Sequence, residues 1–202
     1  MKRALALGGI AALGLVFVLA NPLAAEDLPV LAAGSPAPDF AVADETGTVR
    51  KLADYRGKGV VLEWTNPDCP YVRRHYEADT MEKLSAALGA REVVWLAVNS
   101  TRDNEPADTA KWKSQQGFRY ATLQDKDGAL GRRYGARTTP HMYLIDADGV
   151  LQYNGAIDDD PRGNKATPVN YVQGAAQAVL ASAKPDPSAT EPYGCSVKYA
   201  PR

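Results

Sequence analysis

Two cysteines, Cys69 and Cys195, are the only thiols in the 202 residues, and the first stands where a thiol can be made reactive. It lies in Trp64-Thr65-Asn66-Pro67-Asp68-Cys69-Pro70-Tyr71-Val72, after the apolar, β-branched run Val60-Val61-Leu62-Glu63-Trp64, which reads as a buried strand with one acid embedded in it. Asn66, Pro67 and Asp68 mark a loop, and Pro70 suits a first helical turn, where its missing N–H is no loss. Cys69 is therefore expected at or beside a helix N-cap. There, unpaired backbone N–H groups and the positive end of the helix dipole favour thiolate over thiol. A thiolate attacks disulfides and peroxides; the alternative for Cys69 is an inert, buried structural cysteine.

Several motifs together resemble a known superfamily. Cys69-Pro70-Tyr71-Val72 resembles the C-P-x-C active-site turn of the thioredoxin superfamily, with Val72 in place of the second cysteine. Glu63, six residues before Cys69, matches the buried acid on the strand that feeds that turn. Thr138-Thr139-Pro140, ahead of Met142-Tyr143-Leu144-Ile145, resembles the cis-proline loop that faces the nucleophile. Gly194-Cys195-Ser196-Val197-Lys198-Tyr199 resembles the cysteine-bearing end of a peroxiredoxin-like subgroup of bacterial thioredoxin-fold redoxins. The resemblance runs from about Pro36 to the C-terminus. It implies an α/β thioredoxin-like fold, a central mixed β-sheet flanked by helices, with an N-terminal hairpin and a C-terminal tail carrying Cys195.

The resemblance also implies chemistry. Cys69 would be the nucleophile, and Glu63, buried with a raised pKa, would shuttle a proton for it. Pro140 in cis would bring backbone beside the sulfur, leaving the Thr139 N–H and C=O to pair with a substrate strand. Trp64, Pro70, Tyr71 and Thr139 form the expected substrate-binding set. His141 either tunes the thiolate or caps a loop. His75, six residues beyond Cys69 and about 240° around an ideal helix, is expected at the surface. Peroxiredoxins carry Thr or Ser three residues before their cysteine and Pro seven before it. Here Asn66 and Leu62 stand there, and Arg137 is only near the place of an activating arginine. Thiol–disulfide exchange thus ranks ahead of peroxide reduction.

Both cysteines lie in the part expected to be exported, so they are expected to be able to pair. As a staple they would close a loop of about 125 residues and stabilise the fold by about 4–5 kcal/mol on the chain-entropy model. As a redox pair, Cys195 on a mobile tail would resolve the mixed disulfide or sulfenic acid formed at Cys69. Val72 favours the second reading, because the usual resolving position within the helix cannot act. Two competitors stand beside it: a soft copper site of Cys69, Cys195 and His141, which lacks the second active-site cysteine of copper-delivery proteins, and a binding module that kept the fold with the disulfide as staple. The favoured reading needs no organic cofactor and no metal. It takes a protein thiol or disulfide partner, or a small peroxide, with a protein electron donor.

Net charge is −1, which offers no basic field for nucleic acid. Residues 1–25 read as a secretory signal peptide: Met1-Lys2-Arg3 is basic, Ala4 to Ala20 is uncharged, and Leu23-Ala24-Ala25 ends in small residues, with cleavage expected after Ala25. An uncleaved anchor ranks second, since the 17 uncharged residues are short of the roughly 20 that span a bilayer. Removing Lys2 and Arg3 takes the charge from −1 to −3. Export would place the chain outside the cell or in a periplasm, where disulfides persist, with no stable membrane association after cleavage.

The domain layout expected is a lead-in at 26–36, a thioredoxin-like domain at 37–183, and the tail at 184–202. Within it, Phe40–Val42 and Thr48–Arg50 flank a turn at Gly47. Apolar spacing predicts helix from Pro70 to Leu88, interrupted near Ala78 to Thr80, before a second buried strand at Val93–Val98. Further helices are predicted over Pro106–Gln116, stopped by Gly117, over Gly128–Tyr134, stopped by Gly135, and over Val169–Ala183. Strands are predicted at Tyr120–Leu123, His141–Asp146 and Val150–Tyr153, and the aspartate-rich Ile157–Asn164 reads as a solvated loop.

Overall fold

The two continuous apolar runs become adjacent parallel strands in the computed structural model, which describes residues 28–201. The segment read as a signal peptide lies outside the described residues. A hairpin of β1 (Ala41–Ala43) and β2 (Val49–Lys51) leads through a 3-10 turn at Leu52–Tyr55 to β3 (Gly59–Trp64). Then come α1 (Pro70–Glu77), α2 (Thr80–Gly89) and β4 (Val93–Asn99). The break between the helices falls where the apolar spacing lapses, at Ala78 and the left-handed Asp79 (φ 54°). Next are α3 (Pro106–Gln116), β5 (Thr122–Gln124) and α4 (Ala129–Tyr134). They are followed by β6 (Thr138–Thr139), β7 (His141–Ile145), β8 (Leu151–Gly155), α5 (Tyr171–Leu180) and β9 (Cys195–Ser196).

The five-stranded sheet has the order β5-β4-β3-β7-β8. Strands β3, β4 and β5 are parallel, while β7 runs antiparallel to β3 and β8 antiparallel to β7, which makes the sheet mixed. Strand β3 is central, and its alternation divides the core. Val60, Leu62 and Trp64 face a cluster with Leu96, Leu130, Tyr134 and Tyr143, whereas Val61 faces one containing Cys69, Val72, Tyr76, Leu84 and Val172. Each such buried Leu or Val stabilises the fold by about 1.5–3 kcal/mol. Apolar walls on both faces thus fix where β3 ends, and so where Cys69 begins α1. Among the described residues no helix is long and apolar enough to cross a membrane.

The structure bears on three expectations about the fold. The tail expected to be mobile is docked along its length. Asn154 of edge strand β8 donates its N–H to the Ser188 carbonyl at 3.3 Å and accepts from Thr190 N–H at 3.1 Å. Farther on, β9 pairs antiparallel with β6, and Val197 N–H reaches the Arg137 carbonyl at 3.1 Å. Backbone groups that would otherwise stay unpaired at two sheet edges hold it there. The loop at 157–164 is not simply solvated, because Asp158 and Asp160 are buried. His75 is also buried, at 3% exposure, since the tail covers that side of α1.

Gly194 permits the final approach of the tail, because at φ +136° a Cβ there would lie 2.0 Å from the Thr139 carbonyl oxygen. In Gly194→Ala, hydrogen exchange at the Val197 amide is expected to speed up by at least about tenfold, the loss of one or two hydrogen bonds, while Leu62 in β3 stays protected.

Candidate active site

The loop after β3 turns the chain so that Cys69 caps α1. Asn66 Oδ1 accepts from Asp68 N–H at 2.9 Å, and Cys69 N–H donates to the Asn66 carbonyl at 3.0 Å. This closes a tight turn, and Cys69 takes an extended N-cap conformation with Pro70 in the first helical turn. Across from it the Thr139–Pro140 peptide is cis, and the Thr139 carbonyl lies 3.0 Å from Cys69 Sγ. Register in the β6–β9 ladder sets Thr139 opposite Cys195, which brings the two sulfurs to 2.8 Å. Both are free thiols, 126 residues apart in sequence and within reach of a disulfide.

The two thiols are electrostatically unequal. Burial raises the Cys69 pKa, but hydrogen bonding to Cys195 and Thr139 and to the Val72 backbone N–H outweighs it, so Cys69 lies below its ordinary value. Burial, with the neighbouring Cys69 acting in the same direction, pushes Cys195 up to about 11. Cys69 therefore ionises first, with Cys195 as its hydrogen-bond donor. This is the order needed for an attacking and a resolving thiol.

Glu63 is fully buried, and burial pushes its pKa up to about 7 against the hydrogen bonds it accepts. These come from Trp95 Nε1 at 2.9 Å, Tyr76 hydroxyl at 3.0 Å and Tyr120 hydroxyl at 3.4 Å. Its partners thus tie it to α1 through Tyr76, rather than to either sulfur.

The expected substrate-binding set divides. Pro70 and Tyr71 are exposed beside Cys69. Trp64 is wholly buried on the other face of β3, its indole N–H donating to Ser100 Oγ at 3.1 Å and its ring packed on Tyr134 and Tyr143, so it is corrected to a core residue. Thr139 is buried, and its strand edge is occupied by the chain's own Cys195. His141 acts as a loop cap, its Nδ1 accepting from Arg137 N–H at 3.3 Å. Burial drives its pKa down to about 3, so the ring is neutral. Among the described residues no group of three or more His, Cys, Asp or Glu side chains is placed to hold a metal, so the Cys69, Cys195 and His141 trio is not assembled. Arg137 pairs with Glu191 at 3.6 Å near the surface.

Residues 33–154 match the model of the AhpC/TSA family, six-tenths of the chain. The chain belongs to the AhpC/TSA family. This AhpC/TSA-family chain is 32% identical over 123 residues to the thiol-disulfide oxidoreductase ResA of Geobacillus thermodenitrificans, an overlap of 60% of this chain and 68% of that protein. It is 30% identical over 137 residues to the thiol:disulfide interchange protein DsbE of Pseudomonas aeruginosa, covering 65% and 72%. Among solved structures it resembles an uncharacterized conserved protein from Geobacillus kaustophilus, with a TM-score of 0.77 at 26% identity over 85% of this chain and 94% of that one. The fold is thioredoxin-like, and thiol redox chemistry of the thioredoxin-like kind is the function class.

Two measurements follow from the charge states. In Cys195→Ala the thiolate loses its foremost hydrogen-bond donor, so the midpoint of Cys69 ionisation, followed by thiolate absorbance against pH, is expected to rise. For Glu63, a raised folded pKa means that the folded state binds the proton more tightly than the unfolded chain. Its stabilising contribution is full below about 4.5 and is lost as pH rises through about 7. Glu63→Gln should remove this dependence. Denaturant titrations from pH 4 to 8 are expected to show wild type losing on the order of 3 kcal/mol relative to the variant.

Proposed function

We propose that the chain is a thiol–disulfide oxidoreductase in which Cys69 attacks and Cys195 resolves. The observation that carries this is the β6–β9 pairing, which delivers the second sulfur to the first on a strand of the chain itself. In the reducing direction the Cys69 thiolate attacks one sulfur of a partner protein's disulfide; a mixed disulfide forms and the partner's other sulfur leaves as thiolate. Cys195, deprotonated, then attacks Cys69 Sγ, the Cys69–Cys195 bond forms, and the partner's second thiolate leaves. The partner gains two electrons and the enzyme dithiol loses them, to be restored by a protein dithiol donor.

At 1% exposure Cys69 is covered while the tail is docked. A protein partner therefore reaches it only as Cys195–Ser196 leaves β6, and the partner's extended segment takes the vacated Thr138–Thr139 edge, beside Pro70 and Tyr71. Glu63 enters as a proton reservoir coupled to α1 through Tyr76. Peroxide reduction is less well supported, because the hydrogen-bond partners of Cys69 Sγ are Thr139, Cys195 and the Val72 N–H, and Arg137 is engaged with Glu191. Export belongs to the same proposal, since an oxidising compartment lets the disulfide persist between turnovers.

The test is the reduction potential of the pair, from mass-resolved thiol counts after equilibration in glutathione buffers. A value between about −120 and −270 mV is expected for a cycling pair. A value below about −300 mV would make the bond a staple and the protein a stapled binding module.

A further inference from the structure

Two residues before Cys195, the tail carries Tyr193, whose hydroxyl has more partners than packing alone requires. It donates to Asp158 Oδ1, lies 3.0 Å from His75 Nε2, and accepts from Arg74 Nη2 at 3.3 Å. The phenol proton goes to Asp158, leaving the oxygen to accept from Arg74 and, in the Nε2–H tautomer, from His75. Burial holds His75 neutral, its pKa down at about 4. Arg74 also donates to the carbonyls of Asp160 at 2.8 Å and Pro161 at 3.2 Å, which fastens that loop to α1. Gly163 turns that loop at φ +68°, in the left-handed region that favours glycine. The Tyr193 ring lies 6.0 Å from that of Tyr71 and within 5.9 Å of the Arg74 guanidinium.

Arg74 and His75 sit on the helix that Cys69 caps, and Tyr193 sits on the strand-bearing tail that delivers Cys195. The cluster therefore joins the two carriers of the sulfurs at a second point. The backbone bonds at β6–β9, Val197 and Asn154 tie the tail to the sheet side; this cluster ties it to α1 itself. We propose that Tyr193 is a positioning residue, latched by His75, Arg74 and Asp158, that sets the tail in register so that Cys195 meets Cys69. The proposal rests on the dithiol reading above and concerns how often the resolving thiol is in place.

Tyr193→Phe removes the hydroxyl and keeps the ring. In the full chain the glutathione equilibrium of the Cys69–Cys195 disulfide is expected to shift by at least about tenfold toward the reduced form, the effect of a lost hydrogen bond to a charged group. In a Cys195→Ser background, alkylation of Cys69 by iodoacetamide is expected to speed up by a similar factor, because the tail no longer covers the sulfur. A purely structural tyrosine would lower the melting temperature and leave both readouts within twofold of the parent, and that result overturns the proposal. Asp158→Asn, which keeps an acceptor oxygen, is expected to shift both in the same direction by less; no shift there also counts against the latch, and it serves if Tyr193→Phe does not fold. If the parent chain forms no Cys69–Cys195 disulfide in any glutathione mixture, the dithiol reading fails, and the alkylation rates alone decide the latch.

Discussion

Antiparallel pairing of Thr138–Thr139 with Cys195–Ser196 is the contact on which the proposed dithiol chemistry depends. A thioredoxin-like active-site turn with Val72 at its second cysteine position has no partner sulfur within its own helix. The β6–β9 ladder brings one from the C-terminal tail, and its register fixes which residue of the tail faces Cys69. A slip of one residue would turn Cys195 to the other side of the strand. Gly194, Val197 and the Tyr193 cluster all act on that register.

A second constraint runs through the sheet. Glu63 is fully buried in the central strand, where an ionised carboxylate is costly, and three ring donors surround it. Tyr76 and Tyr120 also bond each other at 2.8 Å, and Tyr76 packs against Trp112 and Phe118. Aromatic packing and proton placement are therefore one structure on the α1 side of the sheet. Glu63 is thereby linked to the helix of Cys69 through the Tyr76 hydroxyl, with no hydrogen bond to the sulfur.

Local signals in the sequence located most elements. Gly117 ends α3 in the left-handed conformation (φ 77°), the lapse near Ala78 separates α1 from α2, and Pro140 is cis. What escaped was long-range. Strand alternation already opposes Glu63 to Trp64, so only one of them can face α1, and the period-two rule could have moved Trp64 into the core. Nothing local announces that His75 would be covered by a segment 118 residues on, or that Asp158 would accept from Tyr193. The Gly194-Cys195 pair was the available clue, since glycine beside a functional cysteine marks close approach of backbone.

The docked tail also bears on damage. A sulfenic acid formed on Cys69 would find its resolving thiol already at contact distance, so condensation to the disulfide needs no search through solution. Climbing to the sulfinic acid requires a second oxidant molecule to reach a sulfur that is 1% exposed. Under the proposed dithiol chemistry, cover and proximity would both favour the reversible rung of the oxidation ladder.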